Sequence, residues 1–544
     1  MFTEWFQQLD ISALTQTLPL LGLYAEIHYR FPLPFSRLFK KEPELIFDTP
    51  WRLEPGRKLR LWLLIKDASR YPVHLKNVQI RVEHPASGEL EFSFELERHV
   101  DSPWHHEVFE LELPAGLAGK VRIVPELSYS VRGHDRSLRV DNYRRLKKDP
   151  LIVEISPTTW PTLPGWLRGD LHVHTAFTAD QIEFGAPLDM THGAAIDLGL
   201  DFITASDHSY DLDDAPDDYM IQDPELKKWS QSRADIRELN SGSQVPVIPA
   251  EEISLRNHKG KTVHMLHFMD DRFFYGSGDG GENWPQIRCE HNVSEVMEQR
   301  SPGSVSVAAH NGYAVPWLHY VLLGRDRWYG QDLVTEGLHG AQILSGTPAS
   351  RAFQISRQDW INALLQGCRL CALGGSDAHG NFNRFRQVSM PTWSIVQHAD
   401  QLLGQVQTLI HSPSRTLEDL AQGLRSRRTA VSTGPTGDLT VTAGKLTGGI
   451  GDELALETGQ TVTVAISALS SAEFGQLEAI RVYKGNPGET KEHCLKTWTP
   501  QSFTFSTVLE LKLVDDGYLR LEIDSAGSKW PGVYLSTPIW ISII

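Results

Sequence analysis

Two histidines stand one residue apart in DLHVHT at 170–175, in a run whose other positions, Leu171 and Val173, suit a buried strand. Successive strand side chains point to opposite faces, so an extended chain places Asp170, His172 and His174 on one side. Two imidazoles one pleat apart can grip a single metal ion. The same residue types recur where other apolar runs end. Asp207 and His208 stand in ITASDHS, Glu251 and Glu252 in IPAEEIS, and His264 and His267 in VHMLHF. His310 stands in VAAHNGY, and Asp377 and His379 in GGSDAHG. Core positions prefer Val and Leu, and each buried imidazole or carboxylate needs a partner. If these runs are strands of a parallel α/β barrel, their ends open on one mouth and the polar residues serve one another.

Mixed imidazole and carboxylate donors suit Zn²⁺, Mn²⁺ or Fe²⁺ rather than Ca²⁺ or Mg²⁺, which favour all-oxygen shells. Two such ions would bring the pKa of a bridging water toward neutrality and polarise a scissile P=O or C=O group. Asp207 adjoins His208 and is expected to orient a metal-binding side chain rather than bind metal itself. His267, three residues from His264, faces the other side of its strand. Arg384 and Arg386 in NFNRFR are candidates for gripping an anionic group of the substrate.

These motifs, in this order, resemble the PHP (polymerase and histidinol phosphatase) superfamily of metal-dependent hydrolases. The resemblance implies a distorted (β/α)7 barrel with a cluster of two to three divalent ions. His172, His174, Glu252 and Asp377 would hold the first, and Glu252, His264 and His310 the second, with Glu252 bridging. Asp180, His208 and His379 would hold the third, which could meet a phosphate ester as charge develops on its oxygens. Glu252, Asp377 and His310, with Asp207 and Arg384 beside them, would carry the catalysis. Two departures stand out: His310 is followed by Asn311 where the family often has proline, and Asp180 stands where other members carry histidine. RSRRTAVSTGPTGDLTV at 425–441 and YLSTPIWIS at 534–542 are similar to a branch with a C-terminal β-sandwich that includes a carbamate hydrolase. That branch tends to have Asn-Pro where Thr537-Pro538 stands. Of the adjacent glutamates, Glu252 shares a strand side with the small Ala250 and matches the family's small-x-Glu pattern. Glu251 is expected to face helix or solvent.

The elements that must position these residues follow from texture. With 544 residues, 40% hydrophobic and 22% charged, the chain is globular and too long for one core. Alternating stretches such as KLRLWLLI, NVQIRVEH and ELEFSFEL predict an N-terminal β-sandwich over 1–160, preceded by a short helix in 1–25. From 161 to 433, short apolar strands alternate with helical segments such as PLDMTHGAAIDLGL and DWINALLQG, the pattern of βα units. Strand patterns return over 434–544 and predict a C-terminal β-sandwich. The expected fold class is therefore α/β, with a barrel that the resemblance implies to be of the PHP type between two β-sandwiches.

The net charge of −16 disfavours nucleic acid as a partner. No run is long and apolar enough for a membrane span, and the opening MFTEWFQQLD lacks the basic start of a secretory signal, so a cytoplasmic protein is expected. The four cysteines make no disulfide framework, and CRLC at 368–371 reads as two buried thiols. The leading expectation is a phosphoesterase acting on a small, anionic molecule. A hydrolase of an amide, ester or carbamate bond uses the same site, and a non-catalytic binding protein on a degenerate barrel is the third reading.

Overall fold

The computed structural model describes residues 42–143, 147–178, 184–278, 280, 288–313, 315, 317–383, 387–390, 393–396, 401–527 and 531–544. The helix expected in 1–25 lies outside them, as do Asp180, Arg384 and Arg386.

Two-residue alternation shapes the first part of the chain. In Val73–His84, Val78, Ile80 and Val82 turn inward while Gln79 stays exposed. A three-stranded antiparallel sheet (Glu44–Asp48, Leu59–Lys66, Trp104–Leu111) and a six-stranded sheet share one core, with Phe47, Leu61, Leu63, Val78, Ile80 and Val121 inside. Each such side chain, once fully buried, contributes about 1.5–3 kcal/mol.

Eight strands of the middle region position the site: β1 (Trp166–Asp170), β2 (Phe202–Ala205), β3 (Val247–Arg256), β4 (Thr262–Phe268), β5 (Val305–Ala308), β6 (Gly340–Leu344), β7 (Cys371–Gly374) and β8 (Gln407–His411). They lie in the order β7-β6-β5-β4-β3-β2-β1-β8. The pairs β1/β2, β2/β3, β5/β6 and β6/β7 are parallel, whereas β4 runs antiparallel to both β3 and β5 and β8 antiparallel to β1. Among the described residues no backbone ladder joins β7 to β8; threonine hydroxyls on β8 and on the segments beyond it meet β7 instead. Thr408 Oγ1 accepts from Gly374 N (2.9 Å) and donates to Gly374 O (2.7 Å). Thr537 Oγ1 accepts from Ala372 N (2.9 Å), and Thr429 Oγ1 donates to Ala372 O (2.9 Å). A hydroxyl both donates and accepts, so it can stand where a facing strand's peptide group would. Gly374 is needed at this seam: a Cβ there would sit 2.9 Å from side-chain carbons of Val406 and Val431.

Two of three helices here have plain local causes. α1 (Leu188–Leu198) follows Pro187 and stops at Gly199 in a left-handed turn (φ 76°). α2 (Lys227–Gly242) precedes β3. α3 (Arg351–Leu365) starts where Ser350 Oγ accepts from Phe353 N (3.1 Å).

The C-terminal part is continuous with the middle by main-chain pairing across residue 433. The strand Thr429–Ser432 lies antiparallel between β8 and Gly532–Ser536. Beyond it a four-stranded sheet packs Leu439, Val441, Val462 and Val464 with Leu519, Leu521 and Ile523. The N-terminal part braces the middle too: Asp48 Oδ2 accepts from Phe382 N (2.9 Å), three residues past His379. Among the described residues no helix is long and apolar enough to cross a membrane.

Candidate metal centre

The convergent side chains sit at strand ends and bends. β1 stops at Asp170, and the chain resumes extension at Val173–His174, which pairs in parallel with Ala378–His379 so that His174 lies opposite His379. Asp170 does not join the histidines. Its buried carboxylate accepts the N–H groups of Ser376 (2.9 Å), Gly404 (2.8 Å) and His172 (3.2 Å), pinning the turn before Asp377. Burial pushes its pKa up to about 6, against those hydrogen bonds. His264 does not end its strand but lies near the start of β4. Because β4 runs antiparallel to β3, that start lies at the same mouth, two residues in register from Glu252. His208 bridges to Glu252 directly after β2. His310 and Asp377 occupy left-handed backbone (φ 26° and 57°), an unfavourable conformation that persists only where the surroundings enforce it.

Glu252 is the hub. Its Oε1 lies 3.0 Å from His264 Nδ1 and 3.1 Å from His310 Nε2. Its Oε2 lies 3.0 Å from His172 Nε2, 3.2 Å from His174 Nε2 and 3.2 Å from His208 Nδ1. Asp377 Oδ1 reaches the same two nitrogens of His172 and His174 at 3.3 and 3.2 Å. Three overlapping sets result: His172, His174, Glu252 and Asp377; His208, Glu252 and His264; and His174, His208 and His379. Within each, the donor atoms lie within 4.8 Å of one another. The first set is the one the family resemblance implied. The second holds His208 where the resemblance placed His310, which contacts Glu252 from outside the set. The third holds His174 with His208 and His379, while Asp180 lies outside the described residues.

Hydrogen bonding alone does not satisfy this arrangement. The Nε2 atoms of His172 and His174 face each other at 3.1 Å, and His379 Nε2 is buried with no hydrogen-bond partner among the described residues. A neutral ring can donate from only one nitrogen, so these crowded contacts cannot all be hydrogen bonds, and imidazolium ions packed this closely would repel one another. A cation at the centre removes both conflicts, so this group of His, Glu and Asp can bind a metal ion. Burial opposes ionisation of Glu252 and Asp377, yet the imidazoles, His172 foremost, hold both carboxyls far below their usual range. Burial lowers His174, but hydrogen bonds to Asp377 and Glu252 more than reverse this and raise it to about 10. Burial brings His379 down to about 3 and His208 well below the usual imidazole value, leaving both rings neutral with free lone pairs.

The cluster is closed at the back and open at one side. His172 and His174 side chains are 0% exposed, whereas those of His310, Asp377 and His379 are 24%, 17% and 12% exposed. Tyr313, 58% exposed, stands on this open side with its ring 6.3 Å from that of His310.

The Asp207 main-chain carbonyl accepts from Glu252 N (2.9 Å), while its carboxylate turns to the threonines. Its Oδ1 accepts from Thr175 N (2.6 Å), Thr178 N (3.2 Å) and Thr178 Oγ1 (3.0 Å), and its Oδ2 from Thr175 Oγ1 (2.8 Å). Thr178 Oγ1 in turn lies 3.2 Å from His174 Nδ1, so Asp207 acts on His174 through the turn. Of the two surroundings expected for Glu251, helix or solvent, it meets the helix: its partner Ser209 opens the helix Ser209–Leu212. It faces away from the cluster but is buried, not solvent-facing, and accepts from Ser209 Oγ (3.2 Å) and Phe274 N (3.3 Å). Burial pushes its pKa up to about 8, although the charge of Arg233 opposes this. Sequence reasoning passed over two supporting residues. Gln401 Nε2 donates to Asp377 Oδ2 (3.3 Å). Gln342, the one polar side chain in the strand GAQIL, contacts His172. A lone amide inside an apolar run was the available signal.

No protein-family model and no curated protein matches the chain. Among solved structures it is similar to a chitin binding domain from Burkholderia pseudomallei, at 15% identity and a TM-score of 0.13, over 17% of this chain and 57% of that one. A beta-glucosidase from Listeria innocua aligns at 12% identity and a TM-score of 0.13, over 20% of this chain and 16% of that one. Bacteroides uniformis beta-glucuronidase aligns at 12% identity and a TM-score of 0.18, over 92% of this chain and 61% of that one. The chain thus spans less than two thirds of each. These scores are too low to carry a shared fold, and the functional reading rests on the site.

Proposed function

We propose that the chain is a metal-dependent hydrolase of the PHP type, built on a distorted barrel, that cleaves a phosphoester in a small anionic molecule. The observation that carries this reading is Glu252, whose two oxygens meet five imidazole nitrogens at 3.0–3.2 Å. Zn²⁺, Mn²⁺ or Fe²⁺ held by these residues, two to three ions in all, would supply Lewis acidity to the scissile group and acidify water. The chain's own residues set the rest. Glu252 holds the two halves of the donor set together, and Asp377 presents its carboxylate from the open side. His310 and His379 stand where a substrate enters. Asp207, through Thr175 and Thr178, keeps His174 turned inward. Arg384 is the proposed grip on the anionic group.

A second reading, hydrolysis of an amide, ester or carbamate, is favoured by the exposed Tyr313 beside His310, which offers an apolar surface to an uncharged substrate. A panel of phosphomonoesters, phosphodiesters, esters and carbamates assayed with Mn²⁺ and Zn²⁺ decides between them. The phosphoester reading expects turnover of a phosphoester and a larger loss of it than of any ester cleavage in His379→Ala. Turnover of carbamates or esters alone transfers the assignment to the second reading. Less than one equivalent of metal by elemental analysis, with none regained from added Mn²⁺ or Zn²⁺, removes both.

A further inference from the structure

Gln342 is buried in β6 (1% exposed), and its amide is tied at three points. Its Oε1 accepts from the main-chain N–H of His310 (3.0 Å) and lies 2.9 Å from His172 Nδ1; its Nε2 donates to the carbonyl of Gly375 (3.0 Å). Two of these partners have a single possible role. A backbone N–H only donates and a backbone carbonyl only accepts, so together they determine which end of the amide is oxygen. With oxygen facing His172 Nδ1, that nitrogen must carry the proton. The proton's position leaves the other nitrogen, Nε2, bare in the neutral ring, and Nε2 is the atom facing His174, Glu252 and Asp377.

The same amide spans the two left-handed corners of the site. It binds the backbone of His310 itself (φ 26°), and through Gly375 it holds the segment two residues before Asp377 (φ 57°). Space there is tight: a Cβ on Gly375 would come within 2.7 Å of His172 Cβ and 3.2 Å of Gln342 Nε2.

We infer that Gln342 is the positioning residue of the metal centre: it locks His172 as the Nδ1–H tautomer and registers the His310 and Asp377 corners around it. This rests on the metal-centre reading above. Partners that orient a metal-binding histidine are typically worth 10–100-fold in metal affinity. Leucine or methionine at 342 would remove all three bonds, whereas glutamate would keep an acceptor for His172 and His310 and lose only the donor to Gly375.

The test uses the full chain, stripped of metal and titrated with Zn²⁺ in competition with a chelator, with melting of the metal-free protein as the control for folding. Gln342→Met is expected to bind Zn²⁺ about 10–100-fold more weakly and to shift the visible band of the Co²⁺-loaded protein. Gln342→Glu is expected to restore affinity to within about fivefold of wild type, the worth of one hydrogen bond. A folded Met variant with wild-type affinity and an unshifted band overturns the proposal, as does a Glu variant as weak as Met. Should the Met variant not fold, ¹H–¹⁵N spectra of the zinc-loaded wild type decide: a His172 Nδ1–H protected from solvent exchange supports the tautomer lock, and a rapidly exchanging one overturns it. A wild-type chain that binds no Zn²⁺ sinks the metal-centre reading along with this one, whereas a wild type that binds Zn²⁺ beside an indifferent Met variant sinks this one alone.

Discussion

His264 and His267 lie three residues apart on β4, and both are buried, yet their surroundings differ in kind. His267 closes a complete network: Nδ1 pairs with Ser306 Oγ (2.9 Å) and Nε2 with Asp270 Oδ2 (3.1 Å). Asp270 also accepts from Ser301 N (2.7 Å), Ser301 Oγ (2.5 Å) and Arg272 N (3.0 Å). Burial opposes its ionisation, but His267 and Ser301 outweigh this and hold its carboxyl far below the usual range. His264, by contrast, aims Nδ1 at a Glu252 oxygen that His310 also claims, while three more imidazoles crowd the other oxygen. One cluster pairs each donor with an acceptor, and the other gathers acceptors around a common point. Burial of a histidine therefore says little about function; whether its hydrogen bonds close without a cation says much more.

The contrast breaks most sharply at Glu252. Glu252→Gln removes the shared anion, so metal content should fall by at least one equivalent by elemental analysis, with turnover down about 10³-fold or more. Unchanged metal content in a folded Glu252→Gln protein would dissolve the distinction between the two clusters. A weaker effect is expected at the support of His174. Asp207→Asn keeps the side-chain shape but cannot accept all four threonine bonds, and should reduce zinc affinity about 10–100-fold in a chelator competition.

The closed network should respond in stability rather than metal. His267→Ala removes one of the partners of Asp270 and the ring that Ser306 Oγ pairs with, which costs about 1–3 kcal/mol in denaturant unfolding, while metal stoichiometry stays at the wild-type value. His264→Ala should do the reverse, and equal behaviour of the two variants would show that both histidines play one role. The smallest effect is a pH dependence at Glu251. Its carboxyl has an ordinary value of 4.5 and is raised to about 8 in the fold. The folded state therefore holds this proton more tightly than the unfolded one, and the stability it contributes is full below pH 4.5 and lost as pH rises through about 8. Glu251→Gln, which has no proton to lose, should melt with wild type near pH 5 and progressively above it toward pH 9. A gap that opens on acidification instead would contradict the neutral, buried carboxyl.

The candidate site was legible in the sequence to the extent that polar residues interrupted apolar runs. HVH, SDH, EE, AAH and DAH each break a stretch that would otherwise read as core, and the side chains they contribute meet in space. Asp170 shows the limit of the same logic: alternation aligned it with His172 and His174, but β1 ends at Asp170, so the period does not carry through and its carboxylate turns to Ser376 and Gly404. His264 was legible as a residue, and the five residues 257–261 between β3 and β4, too few for a parallel crossover, are the local signal that β4 runs backward. Glu251 was expected to face helix or solvent, and alternation could not choose between them because its partners, Ser209, Phe274 and Arg233, come from other segments.

Residue type and two-residue alternation were determined locally, since the pleat of an extended chain follows from its own backbone, and so the sequence by itself carried the donor inventory, the strand segments and the opposite facing of Glu251 and Glu252. Which donors share a point was decided only by the tertiary structure. The threonine contact between β7 and β8 and the Gln342 amide joining His172, His310 and Gly375 link residues at least 30 positions apart. Such pairings depend on how distant strands pack over a common core, and no local run of side chains encodes that packing.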